Sequence, residues 1–156
     1  MFITIIQGLI FVLYVSFLLV RFKKPLPSIS DSWYELSDPI NNLFTLFCWS
    51  IGFLMFFQMN GSTPFFFFSG AGLCFTGAAR AFRLEKTTER RVHLIGAASC
   101  IIFALFGLIF ERNSIISAGL FAIITGLLVI FNVKNKTWWI EISAFACILL
   151  GLLLTS

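Results

Sequence analysis

Charged side chains are scarce in this sequence. Only 12% of its 156 residues are Asp, Glu, Lys or Arg, about half the share usual in a water-soluble domain. Against this stand 59% hydrophobic residues, 21 phenylalanines and a mean hydropathy of +0.98. A water-facing surface cannot be made from what remains, so a soluble globular domain, a disordered chain and a collagen-like chain are excluded. Histidine occurs once, and the four cysteines form no CxxC or CxxH pair. Zinc-finger and zinc-ribbon chemistry needs such pairs and is excluded with them. No Walker loop, dinucleotide fingerprint, haem attachment or zincin motif is present.

What is present is a series of long apolar runs. They cover residues 2–20, 39–59, 64–82, 92–110, 115–133 and 138–155. A bilayer-crossing helix needs about 20 mostly apolar residues, and each run comes close to that length. Barrel strands would alternate every second residue, and these runs do not. The expectation is an all-α polytopic membrane protein, a six-transmembrane-helix bundle with short loops, forming one domain over residues 1–156. Six spans use most of the chain and leave no room for a soluble domain. The first run lacks a basic leader and a small-residue cleavage site, so it is expected to be a span.

Ten of the eleven Lys and Arg residues fall in segments 21–38, 80–91 and 134–137, and the opposite side holds only Arg112. By the positive-inside rule the basic side faces the cytoplasm and both termini lie outside, with a bacterial inner (cytoplasmic) membrane as the expected location. Basic residues split over three short loops make no groove for nucleic acid. They suit anionic lipid headgroups instead. Trp138 and Trp139, with Trp33 and Tyr34, occupy expected positions of an interfacial aromatic belt.

The breaks between runs carry helix-start residues: Asp38-Pro39, Thr63-Pro64, Thr88-Glu89, Asn113-Ser114 and Thr137. Each is expected to cap the span that follows. Ser32-x-x-Glu35 reads as a capping box of a short interfacial helix. Small residues mark where helices touch in a lipid solvent. Gly70, Cys74 and Gly77 share a face of the third span, Gly96, Cys100 and Ala104 one of the fourth, Ala118, Ala122 and Gly126 one of the fifth, and Ser143, Cys147 and Gly151 one of the sixth. Spans three to six are expected to form the tight bundle, with the first span peripheral. Gly77 and Gly96 are expected at the contact of the third and fourth spans. Cys48, Cys74, Cys100 and Cys147 all fall within spans and read as small packing residues, without a disulfide framework or a metal.

Few polar residues remain as site candidates. Ser30, Asp31 and Glu35 lie in the first basic-side loop, and Arg80, His93 and Glu141 lie at the same ends of their spans. His93 can exchange a proton near neutral pH. A carboxylate such as Glu141 inside a span is costly and needs a partner, for which His93 and Arg80 are the candidates. A ceramidase-like zinc hydrolase would place Ser, Asp and His at one membrane face, but its three zinc histidines are not available here.

The stretch Ser28-Ile-Ser-Asp-Ser-Trp-Tyr-Glu35, with Gly70-Ala-Gly-Leu-Cys-Phe-Thr-Gly-Ala-Ala79 and Val92-His93-x-x-Gly96-Ala97, resembles small bacterial or phage-encoded polytopic membrane proteins of no assigned activity. The resemblance spans about residues 25–100 and implies a membrane location only. With no dense polar site and many packing faces, the expected role is a non-enzymatic accessory or assembly subunit. Its partners would be membrane lipids, other membrane proteins or further copies of itself, and it would carry no cofactor. The alternative is a lipid- or amphiphile-binding protein or enzyme that uses the basic-side cluster. A transporter or channel ranks third, because the spans show neither broken helices nor opposed midplane charges.

Overall fold

The computed structural model describes residues 1–59, 63–79 and 87–155. Every regular element among them is a helix. In chain order these are α1 (Phe2–Phe22), α2 (Ser32–Glu35), α3 (Asn42–Phe56), α4 (Phe65–Ala78), α5 (Thr87–Phe106), α6 (Ile115–Ile130) and α7 (Lys136–Leu154). α5 runs on into a π-helical turn, Gly107–Glu111.

Three helices are long and apolar enough to cross a membrane: Phe2–Phe22, Thr88–Glu111 and Lys136–Leu154. The other three apolar helices are shorter than expected, at 14 to 16 residues. At about 1.5 Å per residue they cover roughly 21–24 Å of a hydrocarbon core of about 30 Å. The loss falls at their ends. Residues 38–41 wind as turns, with Asn41 N–H on Ser37 C=O and Asn42 N–H on Pro39 C=O, so α3 starts at Asn42 and not at Pro39.

At the starts of α4 and α7 longer-range bonds stand where a local cap was expected. None of the helices other than α5 has a side-chain cap from its own N-cap residue. At the start of α4 the Phe65 N–H is met by Glu111 Oε1, 3.2 Å away at the end of α5. In the first turn of α7 the Trp138 N–H is met by Pro27 C=O at 3.2 Å, and Asn135 gives its side-chain amide to Pro25 C=O at 2.9 Å. Orphan N–H groups at a helix start must be met by something, and a neighbouring segment serves as well as a local cap.

The most extensive contacts join α4 to α5, then α3 to α4, then α6 to α7. Glycines permit the first two. A β-carbon on Gly72 would come within 2.6 Å of Gly96 O, and Gly52 and Gly70 abut in the same way across α3 and α4. Gly77 faces Cys48 and Thr45 of α3, not α5, so of the two glycines expected at the α4–α5 contact only Gly96 is there. The second span therefore belongs to the tight group. α6 is looser than expected: Ser117 is its only buried residue, and β-carbons on Gly119 and Gly126 would meet nothing. α1 packs on α3 and α7 through Phe11, Tyr14 and Leu18.

The loop after α1 folds back under the bundle. Lys23 closes α1 in the left-handed conformation, φ 56°. Leu26, Ile29 and Leu36 are then buried, and they anchor the loop by their apolar side chains. Trp138 is 1% exposed beneath this loop and its N–H meets Pro27 C=O at 3.2 Å, so it is a core residue and not a belt anchor. Trp139 remains exposed, as a belt position requires.

Candidate functional site

The folded-back loop carries its polar residues into the end of the bundle. Leu26, Ile29 and Leu36 hold it down while Ser28, Ser30, Asp31 and Ser32 are buried between them. Successive turns wind the segment: Asp31 N–H returns to Ser28 C=O, Ser32 N–H to Ile29 C=O and Trp33 N–H to Ser30 C=O. Ser28 Oγ also accepts the Asp31 N–H at 3.1 Å. The helix start is thus set by Ser28, four residues before the expected capping box. Ser32 is free to bond elsewhere, and its hydroxyl lies 2.6 Å from Tyr14 Oη of α1. Tyr14 stacks on Phe47, with centroids 4.4 Å apart, which fixes the phenol.

Ser30 sits between the two other polar residues of the site. Its Oγ lies 3.2 Å from His93 Nε2. His93 Nδ1 faces two carbonyl oxygens, Thr76 O and Ala79 O, each at 3.1 Å. A carbonyl only accepts, so Nδ1 carries the proton and Nε2 presents its lone pair to Ser30, whose hydroxyl donates. Those carbonyls belong to the last turn of α4, where four acceptors have no helical partner. His93 of α5 therefore closes α4 as well as holding the loop.

Glu141 of α7 reaches the same place from the other side. Its Oε2 accepts the Ile29 N–H at 2.5 Å, and Glu141 lines one cavity with Ser30. Oε2 thus bonds to backbone of the loop rather than to His93, which is met instead by Ser30, the residue after Ile29. Asp31, the next residue after Ser30, is 3% exposed.

Four of the six expected residues are thus brought together: Ser30, Asp31, His93 and Glu141. Glu35 is exposed. It borders a separate open depression of about 450 Å³ with Lys24, Pro27 and Lys134. Arg80 lies outside the described residues. Tyr14 and Ser32 belong to the site and were not expected. A phenol inside an apolar span was the available signal, since a buried Tyr hydroxyl normally finds a partner.

Beside the cluster is a cavity of about 50 Å³, lined by Ser30, Thr76 and Glu141 at its polar end and by Phe44, Leu73 and Ile148 along its walls. That volume holds a few water molecules and no lipid. Chemically, Ser30 and His93 form the pair that activates a hydroxyl as nucleophile in acyl transfer. The group that orients the imidazole here is backbone carbonyl rather than carboxylate. Among the described residues no three His, Cys, Asp or Glu side chains converge as a metal site would require.

A second polar tier lies at the opposite end, where the chain termini meet the ends of α3, α5 and α7. Gln58 Nε2 donates to Thr4 Oγ1 at 3.0 Å and to Gln7 Oε1 at 2.9 Å. Arg112 donates to Gln58 O at 2.8 Å and to Thr155 O at 3.4 Å. Gln7, the one amide in the first apolar run, was the sequence signal for this tier, since an amide in an apolar span needs an interhelical partner. No family model, curated protein or solved structure matches the chain.

Proposed function

We propose that the chain is a six-span protein of the bacterial inner membrane that acts without catalysis, as an accessory or assembly subunit packed against other membrane proteins or copies of itself. One observation carries the reading. The residues that could do chemistry are spent holding the 25–36 loop under the bundle, beside a cavity of only about 50 Å³, while α6 is left almost uncovered. Ile116, Ile123 and Ile130 of α6 are exposed, and Gly119 and Gly126 leave room for a close-approaching helix. Small residues are what helix association uses in a lipid solvent. Lipid would meet two open apolar grooves of about 340 Å³ each, one between α4 and α5 and one between α3 and α4.

The arrangement of the ends supports six crossings. Bonds from Gln58 to Thr4 and from Arg112 to Thr155 gather the start of α1 and the ends of α3, α5 and α7 at one end. Each return to that end requires an even number of passages. Ten of the eleven Lys and Arg residues fall in sequence segments 21–38, 80–91 and 134–137, and by the positive-inside rule that side is cytoplasmic and both termini are non-cytoplasmic.

The test is purification from native expression levels in a mild detergent. A co-purifying membrane protein or a homo-oligomer is expected, and Gly119→Leu or Gly126→Leu should disperse it. A strictly monomeric species without a partner would remove the proposal. Reporter fusions at either terminus should report the non-cytoplasmic side.

The Ser30–His93 contact supports a second reading, an enzyme or binding site for a lipid or other amphiphile at the cytoplasmic face. It requires Ser30 to be reachable. Covalent labelling by a lipophilic fluorophosphonate, lost in Ser30→Ala, would favour it over the packing role.

A further inference from the structure

We infer that the end of the bundle holding the chain termini carries a binding site for an oxyanion, a phosphate group, centred on Arg112 and Gln7. Thr4, Gln7 and Gln58 are 1%, 0% and 4% exposed, so this tier is removed from solvent. Its bonds consume acceptors and leave donors over. Gln58 commits both amide hydrogens, to Thr4 Oγ1 and Gln7 Oε1. Gln7 Nε2 and Arg112 Nε are buried and have no hydrogen-bond partner among the described residues. Arg112 has neutral backbone carbonyls for its described partners, Gln58 O and Thr155 O.

Two unmatched donors of one tier, one of them cationic, ask for the same thing: a negatively charged oxygen. A buried donor left unmade is costly, and a guanidinium is a preferred receptor for phosphate because its N–H groups form a planar fork. Arg112 is itself only half-buried, so a ligand can reach it from the surface. The tier lies at the end of the apolar helices, the depth at which a phospholipid presents its phosphodiester, and a free phosphate offers the same oxygens. The site is independent of the Ser30–His93–Glu141 cluster, which sits at the other end, and of the proposed subunit contact through α6.

The experiment uses the full chain in a maltoside detergent, which carries no phosphate. Thermal unfolding is followed with added sodium phosphate, with phosphatidylglycerol in mixed micelles, and with sodium chloride at matched ionic strength. The wild type should unfold at a higher temperature with at least one phosphate source and not with chloride. A shift with phosphatidylglycerol alone assigns the lipid headgroup, and a shift with both assigns any accessible phosphate. Arg112→Gln should weaken the half-saturating concentration by about tenfold or more, as loss of one charge-assisted contact implies. Gln7→Leu should weaken it as well, whereas Lys134→Gln at the other end should leave it unchanged. Should Arg112→Gln fail to fold, Gln7→Leu and the wild-type titration decide the matter. No shift beyond chloride, or an equal shift in wild type and Gln7→Leu, overturns the site.

Discussion

Gly72 and Gly96 face each other across α4 and α5, and each backbone stands where the other's side chain would be. A β-carbon on Gly72 would lie 2.6 Å from Gly96 O, and one on Gly96 would lie 2.7 Å from Gly72 O. Neither backbone can yield without parting the helices. Gly72→Ala and Gly96→Ala should each destabilise the protein by about 1–3 kcal/mol, the usual cost of overpacking, and leucine at either position should cost more. Unfolding in detergent measures this. Wild-type stability in both alanine variants would mean that the two helices do not touch there.

Gly119 and Gly126 of α6 provide the opposite case. Both are helical, and a β-carbon on either meets nothing. Alanine in place of a helical glycine removes backbone freedom from the unfolded chain, so each substitution should be neutral or stabilise by up to about 1 kcal/mol. Leucine should likewise leave monomer stability unchanged while dispersing any complex that uses this face. A large loss of monomer stability would place α6 inside the bundle.

These glycines illustrate how much the sequence disclosed. Small residues on the third and fourth spans correctly marked close contacts, because tight helix approach in an apolar solvent has few other causes. The pattern did not say which neighbour each one meets: Gly77 turned to α3, and the glycines of α6 turned outward. A stripe of small residues specifies closeness and not a partner. The joining of Ser30, His93 and Glu141 was legible from their common depth, since each is a polar group at the end of an apolar run. The joining of Tyr14 to them was not, because a phenol in an apolar run signals that it needs a partner but not which segment supplies it. Nor were the starts of α3 and α7: local turns run past Asp38-Pro39 to Asn41 before α3 begins, and α7 begins at Lys136, one residue before the expected cap Thr137.

Ser30 and His93 should be energetically coupled. Their bond is buried and neutral, a class that contributes about 0.5–1.5 kcal/mol. In a double-mutant cycle of Ser30→Ala and His93→Phe, the two single losses should sum to more than the loss in the double mutant by about that amount. His93→Phe alone should be the more damaging change, because it also strips Thr76 O and Ala79 O of their donor at the end of α4. Strict additivity would show that the 3.2 Å contact contributes nothing.

Glu141 distinguishes a carboxylate kept for its charge from one kept as an acceptor. Its Oε2 receives the N–H of Ile29, a residue only 2% exposed, so no water stands ready to replace it. Glu141→Gln keeps an oxygen of nearly the same reach to accept the Ile29 N–H, which should cost less than about 1 kcal/mol. Glu141→Leu removes the acceptor and strands the buried N–H, a loss of about 1–3 kcal/mol. The leucine variant should also loosen the 25–36 loop, and amide hydrogen exchange at Ile29 and Ser30 would report that directly. The order of the two variants is the decisive quantity. If glutamine proves as damaging as leucine while exchange at Ile29 stays slow in both, the negative charge is what the site requires, and the groups around it, Ser30 and His93 first, would have to be read as a site for chemistry and not as the anchor of a loop.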